Sequence, residues 1–296
     1  MKLKTYKAWI DAARPRTLPA SAAPVIAATA YAWYDGTVVW GAALLCLAFA
    51  LLAQIASNMA NDYFDYKNGG DTPDRVGPQR AVVSGLISPR AMLVGTCVVL
   101  LLACCVGLGL IYYGGWHLIW VGIIIAIFAL AYSAGPFPLS RIGLGDLTVF
   151  IFFGLIAVNF TYYVQAGCFT KQVLFLSVAQ GLLSINILLV NNYRDMKEDA
   201  LSGKFTTVVR FGRDFASTWY LLNGFAAVAF TSKIWCEEPH WLMLLPAVYL
   251  IFHCHAFHAL TNRDGVRLNP ILGRTAALLL LFTILYVVAL VVIKNI

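Results

Sequence analysis

The chain has 296 residues, of which 60% are hydrophobic and only 12% are charged, and its mean hydropathy is +0.77. Soluble domains carry about 25% charged residues, so this composition excludes a soluble globular protein and favours a membrane protein. The formal net charge of +7 requires no nucleic-acid partner, because the placement of Lys and Arg around membrane spans accounts for it.

Nine uncharged stretches are long enough to cross a bilayer as α-helices, since a spanning helix needs roughly 20 apolar residues. In chain order they are residues 18–34, 38–60, 91–113, 116–134, 147–166, 173–190, 215–232, 241–260 and 275–293. Strands are excluded, because open sheet edges cannot face lipid. The sequence therefore predicts an all-α fold, a polytopic transmembrane bundle of nine helices that forms one domain over residues 1–296.

Lys and Arg are distributed unevenly between the connecting segments of this bundle. With a cytoplasmic N-terminus, 18 of the 21 basic residues lie on the inner side, and the exceptions are Lys171, Lys233 and Lys294. Cytoplasmic connections carry the excess of basic residues in membrane proteins. Eleven of the 14 acidic residues also fall on the inner side, which that rule does not require. We therefore expect a cytoplasmic N-terminus and a function for the carboxylates on that face.

Two similar polar motifs follow the second and the sixth predicted spans. The first reads Asn-Asp-Tyr-Phe-Asp-Tyr-Lys over residues 61–67, and the second reads Asn-Asn-Tyr-Arg-Asp-Met-Lys over residues 191–197. Four spans separate the motifs, so both are expected in cytoplasmic loops on the same side of the membrane. Similar pieces at corresponding positions are typical of internally duplicated membrane proteins. The repeat predicts two halves, residues 13–146 and 147–296.

The spacing of the polar residues in these motifs is typical of metal ligands. If each helix continues into its motif, Asn61 shares a helical face with Asp65, and Asp195 shares one with Asp199. Hard oxygen donors suit Mg²⁺, which usually takes one or two carboxylates together with substrate phosphates. Basic residues follow each motif and are suited to bind phosphate. The alternative explanation is ordinary helix capping by Asn and Asp. We favour a Mg²⁺-diphosphate site.

The motif residues resemble those of the UbiA-type intramembrane aromatic prenyltransferases. The first signature is matched by Asn61, Asp62, Asp65, Asp71, Asp74 and Arg75, and the second by Asn192, Asp195, Asp199, Lys204 and Arg210. One position departs from the family pattern, because Gly69 stands four residues after Asp65, where an Asp is usual, and the Asp falls at Asp71. Residues 13–19, 132–138 and 141–146 are similar to the branch of the family that prenylates 1,4-dihydroxy-2-naphthoate.

The resemblance implies a reaction in which a polyprenyl diphosphate donates its allylic chain to an aromatic carbon and releases diphosphate. In the branch named above, the acceptor 1,4-dihydroxy-2-naphthoate also loses CO₂, which gives demethylmenaquinol. The resemblance further implies Mg²⁺ as cofactor, membrane lipid as surroundings, and a bacterial cytoplasmic membrane with the active site on the cytoplasmic side. Because the donor chain is apolar, we also expect a lateral opening between spans.

The resemblance also implies roles for individual residues. The expected metal ligands are Asn61, Asp62, Asp65, Asp71, Asp195 and Asp199. The expected substrate-binding residues are Arg14, Lys67, Arg75, Arg80, Asn192, Lys204 and Arg210. Tyr132 is expected to act in catalysis together with Asp65, Asp195 and Asp199, since an aromatic ring can face an allylic cation.

Two other functions compete with this one. Within the same family, 4-hydroxybenzoate is the alternative acceptor. From another class, a cation or phosphate transporter would also place acidic residues in a membrane bundle. Transporters usually bind their ions near the bilayer midplane, whereas both motifs follow the ends of predicted spans. The sequence therefore favours the prenyl-transfer enzyme.

Overall fold

The computed structural model describes residues 2–69 and 76–296, with side chains from residue 5 onward, and in these residues it contains helices and no strand. The α-helices are α1 Lys2–Ala13, α2 Pro19–Tyr34, α3 Trp40–Lys67, α4 Pro89–Gly114, α5 Leu118–Ala131, α6 Gly145–Val149, α7 Ala157–Ala166, α8 Lys171–Leu201, α9 Thr207–Phe230, α10 Ser232–Trp235, α11 Leu244–Thr261 and α12 Asn269–Lys294. A π-helical segment, Phe150–Ile156, joins α6 to α7.

Six helical segments of the described chain are long and apolar enough to cross a membrane. They are Trp40–Lys67, Pro89–Gly114, Gly145–Ala166, Lys171–Leu201, His240–Thr261 and Gly265–Lys294. The other three predicted spans also lie on helices. However, α2 and α5 have only 16 and 14 residues, and α9 carries charged residues and a non-helical Gly212 in its first turns. An all-helical, polytopic architecture is confirmed, and the number of nine spans stays a prediction.

The residues of both polar motifs lie on helices and not in loops, which corrects the prediction from sequence. Helix α3 continues through residues 61–67 and ends at Lys67, and α8 continues through the second motif to Leu201. The end of an apolar stretch marks where contact with lipid ends. The main-chain hydrogen bonds of the helix can continue into the polar sequence that follows. The i, i+4 spacing therefore places Asn61 and Asp65 on one face of α3.

Helix α8 lies at the centre of the bundle and packs against α2, α9, α12 and the π-helical segment. In its most apolar stretch 72% of the residues are buried, against 11% in α4, so α4 lies at the periphery. The crossing of the π-helical segment with α8 is very close: a Cβ atom on Gly154 would lie 2.6 Å from the Gly181 Cα. Small residues let helix backbones approach in this way. This close crossing holds α6 against α8, and α6 forms part of the cavity wall.

Candidate active site

A cavity of about 500 Å³ lies between α3 and α8 and is lined by residues of both motifs. The motif residues on its wall are Asn61, Asp65, Asn191, Asn192, Asp195, Glu198 and Asp199. Away from the motifs, the wall becomes apolar and follows α4, α5 and the π-helical segment, with side chains such as Leu100, Leu108, Ile119, Ile123 and Phe153. One cavity therefore joins a polar end, built by both motifs, to a long apolar part.

The first motif contributes two residues to the cavity and uses a third elsewhere. Asp65 and Asn61 line the cavity, and the Asn61 side-chain oxygen is buried without a hydrogen-bond partner in the described chain. Asp62 does not line it. Its carboxylate accepts hydrogen bonds from the main-chain nitrogens of Ala81 at 3.1 Å and Val82 at 3.5 Å. Asp62 thus fixes the segment that precedes α4.

The second motif contains a buried ion pair that the sequence did not reveal. Arg194 donates to both carboxylate oxygens of Asp195, at 2.6 and 2.8 Å, and both side chains are almost fully buried. The same guanidinium donates to the side-chain oxygens of Asn191 at 2.8 Å and Asn269 at 3.0 Å. Adjacent residues on a helix do not normally face each other, so the spacing gave no indication of this pair. Arg194 fixes the orientation of the Asp195 carboxylate.

The segment that follows the first motif is attached to the second motif at Val76. The Val76 main-chain nitrogen donates to Glu198 at 2.8 Å, and the Val76 main-chain oxygen accepts from Asn269 at 3.2 Å. Asn269 also accepts from Arg194, so the hydrogen bonds continue to Asp195. Glu198 and Asn269 were missed from sequence because they are 122 and 193 residues from Val76. These contacts hold the two motifs in one arrangement.

The predicted basic residues divide into three groups. Arg14, Arg80 and Lys204 line the cavity, and Lys204 also pairs with Asp199 at 3.2 Å. Lys67 and Arg210 are exposed outside its wall, and Arg210 donates to main-chain oxygens of Phe205 and Ile142. Arg75 lies outside the described residues, as do Asp71 and Asp74.

Arg141 is a cavity residue that the predicted site did not include. One of its terminal nitrogens donates to the main-chain oxygen of Ser202. The other, Nη1, is buried and has no hydrogen-bond partner in residues 2–69 and 76–296. Because an unpaired buried guanidinium nitrogen is costly, this position suits an anionic group. Its signal in the sequence was its place in the family-like stretch 141–146.

Tyr132 follows α5 and lines the cavity near both motifs. Its hydroxyl lies beside α6, because a Cβ atom on Gly145 would come within 3.5 Å of it. Such a group can donate a hydrogen bond or present its ring to a cation.

The cavity provides oxygen ligands of the kind that Mg²⁺ prefers. Within the described part of the chain, no three His, Cys, Asp or Glu side chains converge closely enough to hold a metal ion by themselves. The side-chain oxygens of Asn61 and Asn192 are, however, buried on the wall without partners in those residues. Together with Asp65 and Asp199 they form an incomplete oxygen set, which is typical of Mg²⁺ sites that substrate phosphates complete.

Comparison with known proteins agrees with this geometry. The sequence profile of the UbiA prenyltransferase family matches residues 21–269. The chain is 35% identical to 1,4-dihydroxy-2-naphthoate octaprenyltransferase of Escherichia coli (strain K12), over 97% of this chain and 96% of that protein. It is 38% identical to the Mycobacterium tuberculosis (strain ATCC 25618 / H37Rv) protein of the same name, over 95% and 96%.

The fold is also similar to that of a solved structure. A UbiA homolog from Archaeoglobus fulgidus bound to DMAPP and Mg²⁺ superposes with a TM-score of 0.65, covering 96% of this chain and 99% of that one, at 16% identity. At this identity the likeness concerns the fold alone. The profile match covers most of the chain and the two sequence relatives cover nearly all of it, so this chain is a prenyltransferase that belongs to the UbiA family.

Proposed function

We propose that the protein transfers a polyprenyl group from polyprenyl diphosphate to 1,4-dihydroxy-2-naphthoate, with loss of CO₂ and diphosphate, and so forms demethylmenaquinol. The observation that carries this proposal is the single cavity in which two acidic motifs and several basic residues meet a long apolar wall. A diphosphate fits the polar end, and a polyprenyl chain fits the apolar part. The names of the two sequence relatives support the naphthoate acceptor.

The donor diphosphate occupies the polar end of the cavity. Asp65 and Asn61 would hold Mg²⁺ from α3, and Asn192, Asp195 and Asp199 would hold it from α8. The leaving diphosphate would then be stabilised by the positive charge that the bound metal supplies. A carboxylate has about four lone-pair positions, so Asp195 can accept from Arg194 and still coordinate.

Basic and aromatic side chains complete the proposed site. Arg14, Arg80, Arg141 and Lys204 line the same end of the cavity and bind anionic oxygens of the two substrates. Tyr132 faces the allylic carbon as positive charge develops there. The apolar wall excludes water, which would otherwise capture the allylic cation.

The membrane orientation belongs to the same proposal. Most basic residues lie at the end of the bundle that carries the motifs, so the active site faces the cytoplasm of a bacterial cell and the helices lie in its cytoplasmic membrane. The transporter alternative has no comparable support, because both motifs lie towards the same end of the bundle, whereas alternating access usually uses a site at the midplane.

The polyprenyl tail leaves the cavity between α4 and α5. Leu108 on α4 and Ile123 and Phe128 on α5 line the cavity, yet they are 60%, 42% and 40% exposed. Side chains that face both a cavity and the outer surface mark an opening. We expect short and long donors to react at similar rates, because the added isoprene units extend into lipid.

A donor-length series in detergent or lipid nanodiscs tests this opening. Leu108→Trp should slow long donors more than short ones, and Val98→Trp, on the exposed side of α4 and away from the cavity, serves as the control. A sharp drop in rate of the unchanged protein beyond a short donor would contradict an open exit.

Mg²⁺-dependent diphosphate release is the direct test of the proposed function. We expect the purified protein to consume a polyprenyl diphosphate only with Mg²⁺ and 1,4-dihydroxy-2-naphthoate present, and to lose activity when a chelator is added. In a head-to-head assay, 4-hydroxybenzoate should react about 5- to 150-fold more slowly, since unpaired polar groups in an acceptor pocket cost roughly 1–3 kcal/mol. Equal or faster prenylation of 4-hydroxybenzoate would reject the naphthoate assignment.

A further inference from the structure

Asp146 is a buried carboxylate on the cavity wall that the metal and the diphosphate do not use. It is 4% exposed, and its Oδ2 accepts a hydrogen bond from the Thr207 hydroxyl. Its Oδ1 is buried and has no hydrogen-bond partner among the residues that the structure describes. Such an oxygen is costly to bury unless a ligand satisfies it. The carboxylate therefore indicates a polar group of a substrate.

The position of Asp146 identifies which substrate this is. Asp146 is the second residue of α6 and directly follows Gly145. A Cβ atom on Gly145 would lie 3.5 Å from the Tyr132 hydroxyl. No Lys or Arg of residues 5–69 and 76–296 forms an ion pair with it, in contrast to Asp195 and Asp199. A carboxylate without a neighbouring cation repels a diphosphate and suits a hydrogen-bond donor. The aromatic acceptor carries such donors as ring hydroxyls.

We propose that Asp146 accepts the proton of an acceptor ring hydroxyl during prenyl transfer, and that Thr207 is the positioning residue that orients the carboxylate. This inference rests on the proposed function and assigns it a catalytic base. Thr207 binds Oδ2, so Oδ1 is the atom that receives the proton. A positioned base of this kind contributes typically about 10²- to 10⁴-fold to a rate.

The proposed step balances without any further reagent. Oδ1 takes the hydroxyl proton, and the oxygen electron pair moves into the ring. The ring carbon that carries the carboxylate forms a bond to the allylic carbon, while the allylic C–O bond breaks and its electron pair leaves with diphosphate. The resulting β-keto carboxylate loses CO₂, and the electron pair of the broken C–C bond returns to the ring and its oxygen as an enolate. That oxygen recovers the proton from Asp146, which gives the prenylated hydroquinone.

Asp146→Asn in the full-length protein is the primary test, because the Asn side chain keeps an oxygen for Thr207 but cannot act as a base. We expect kcat to fall by about 10²- to 10⁴-fold, while KM for the donor is unchanged. Mg²⁺-dependent binding of an unreactive prenyl thiolodiphosphate should also be unchanged. Acceptor analogues with more acidic hydroxyls should recover part of the rate, and Asp146→Glu should retain more activity than the Asn variant.

Two further variants separate a base from a structural side chain. Asp35→Asn is the matched control, because Asp35 also accepts from a hydroxyl, that of Tyr162 at 2.6 Å, but lies outside the cavity; its rates should equal those of the unchanged protein. Thr207→Val keeps the carboxylate and should lower kcat with donor binding intact. Full transfer by Asp146→Asn, or loss of thiolodiphosphate binding by it, would overturn the assignment. Failure of the unchanged protein to transfer a prenyl group would instead reject the proposed function itself.

Discussion

Replacing Asp65 or Asp195 with Ala is expected to abolish prenyl transfer while membrane insertion remains intact. Asp195→Ala also leaves Arg194 buried without its carboxylate partner, so this variant should unfold at a lower temperature as well. Each carboxylate lines the polar end of the cavity, one from α3 and the other from α8. In the proposed site, losing either would remove negative charge that is needed to hold Mg²⁺ near the leaving diphosphate. Because loss of one preorganised stabilising group costs roughly 10²- to 10³-fold, and metal affinity falls as well, we expect residual turnover below about 10⁻³ of the original rate.

Diphosphate release at saturating Mg²⁺ measures this effect, and detergent-solubilised yield measures insertion. Asp214→Ala is the matched control, since Asp214 is an exposed carboxylate near the start of α9 that does not line the cavity. A Mg²⁺ titration gives a second readout, because the Asp65 variant should bind the unreactive prenyl thiolodiphosphate with a weaker Mg²⁺ dependence. Near-normal turnover in either Ala variant would refute the two-motif metal site.

Arg194→Met is expected to destabilise the protein by about 3–5 kcal/mol, the usual cost of leaving one partner of a buried ion pair without the other. The Asp195 carboxylate would lose both of its hydrogen bonds from Arg194, and the side-chain oxygens of Asn191 and Asn269 would each lose one. Asn269, which binds the Val76 main-chain oxygen, would lose its hydrogen bond from the second motif, whereas the hydrogen bond from Val76 to Glu198 would remain. Thermal unfolding in detergent measures the change, and Arg267→Met, at an exposed position, is the control.

A double variant distinguishes the structural role of this pair from its role in the reaction. Arg194→Met combined with Asp195→Leu removes both buried charges, and such replacements are often neutral or stabilising. We therefore expect the unfolding temperature to recover while prenyl transfer stays absent. An unfolding temperature of Arg194→Met equal to that of the unchanged protein would show that the guanidinium does not hold Asp195 in place.

The sequence by itself determined the class of protein, its helices and the residue types of its site. Apolar length is a local property, so all nine predicted spans lie on helices, although only six described segments meet the length and hydropathy needed to span. The repeated motif is also local, and its residues Asn61, Asp65, Asn192, Asp195 and Asp199 line one cavity, while their roles stay a prediction. The hydropathy pattern could not show where α3 and α8 end, because hydropathy reports contact with lipid and not main-chain hydrogen bonding.

Only the tertiary structure decided which neighbours each of these side chains has. Asp62 directly follows Asn61, which lines the cavity, yet it binds the main chain at Ala81 and Val82, because successive helix residues point about 100° apart. Arg210 follows the second motif but binds main-chain oxygens outside the cavity. Arg141, Glu198 and Asn269 act on the site through contacts across 61 to 193 residues. Spacing along one helix predicts a shared face, whereas contacts between distant segments depend on how the helices pack, and that packing is not a local property of the chain.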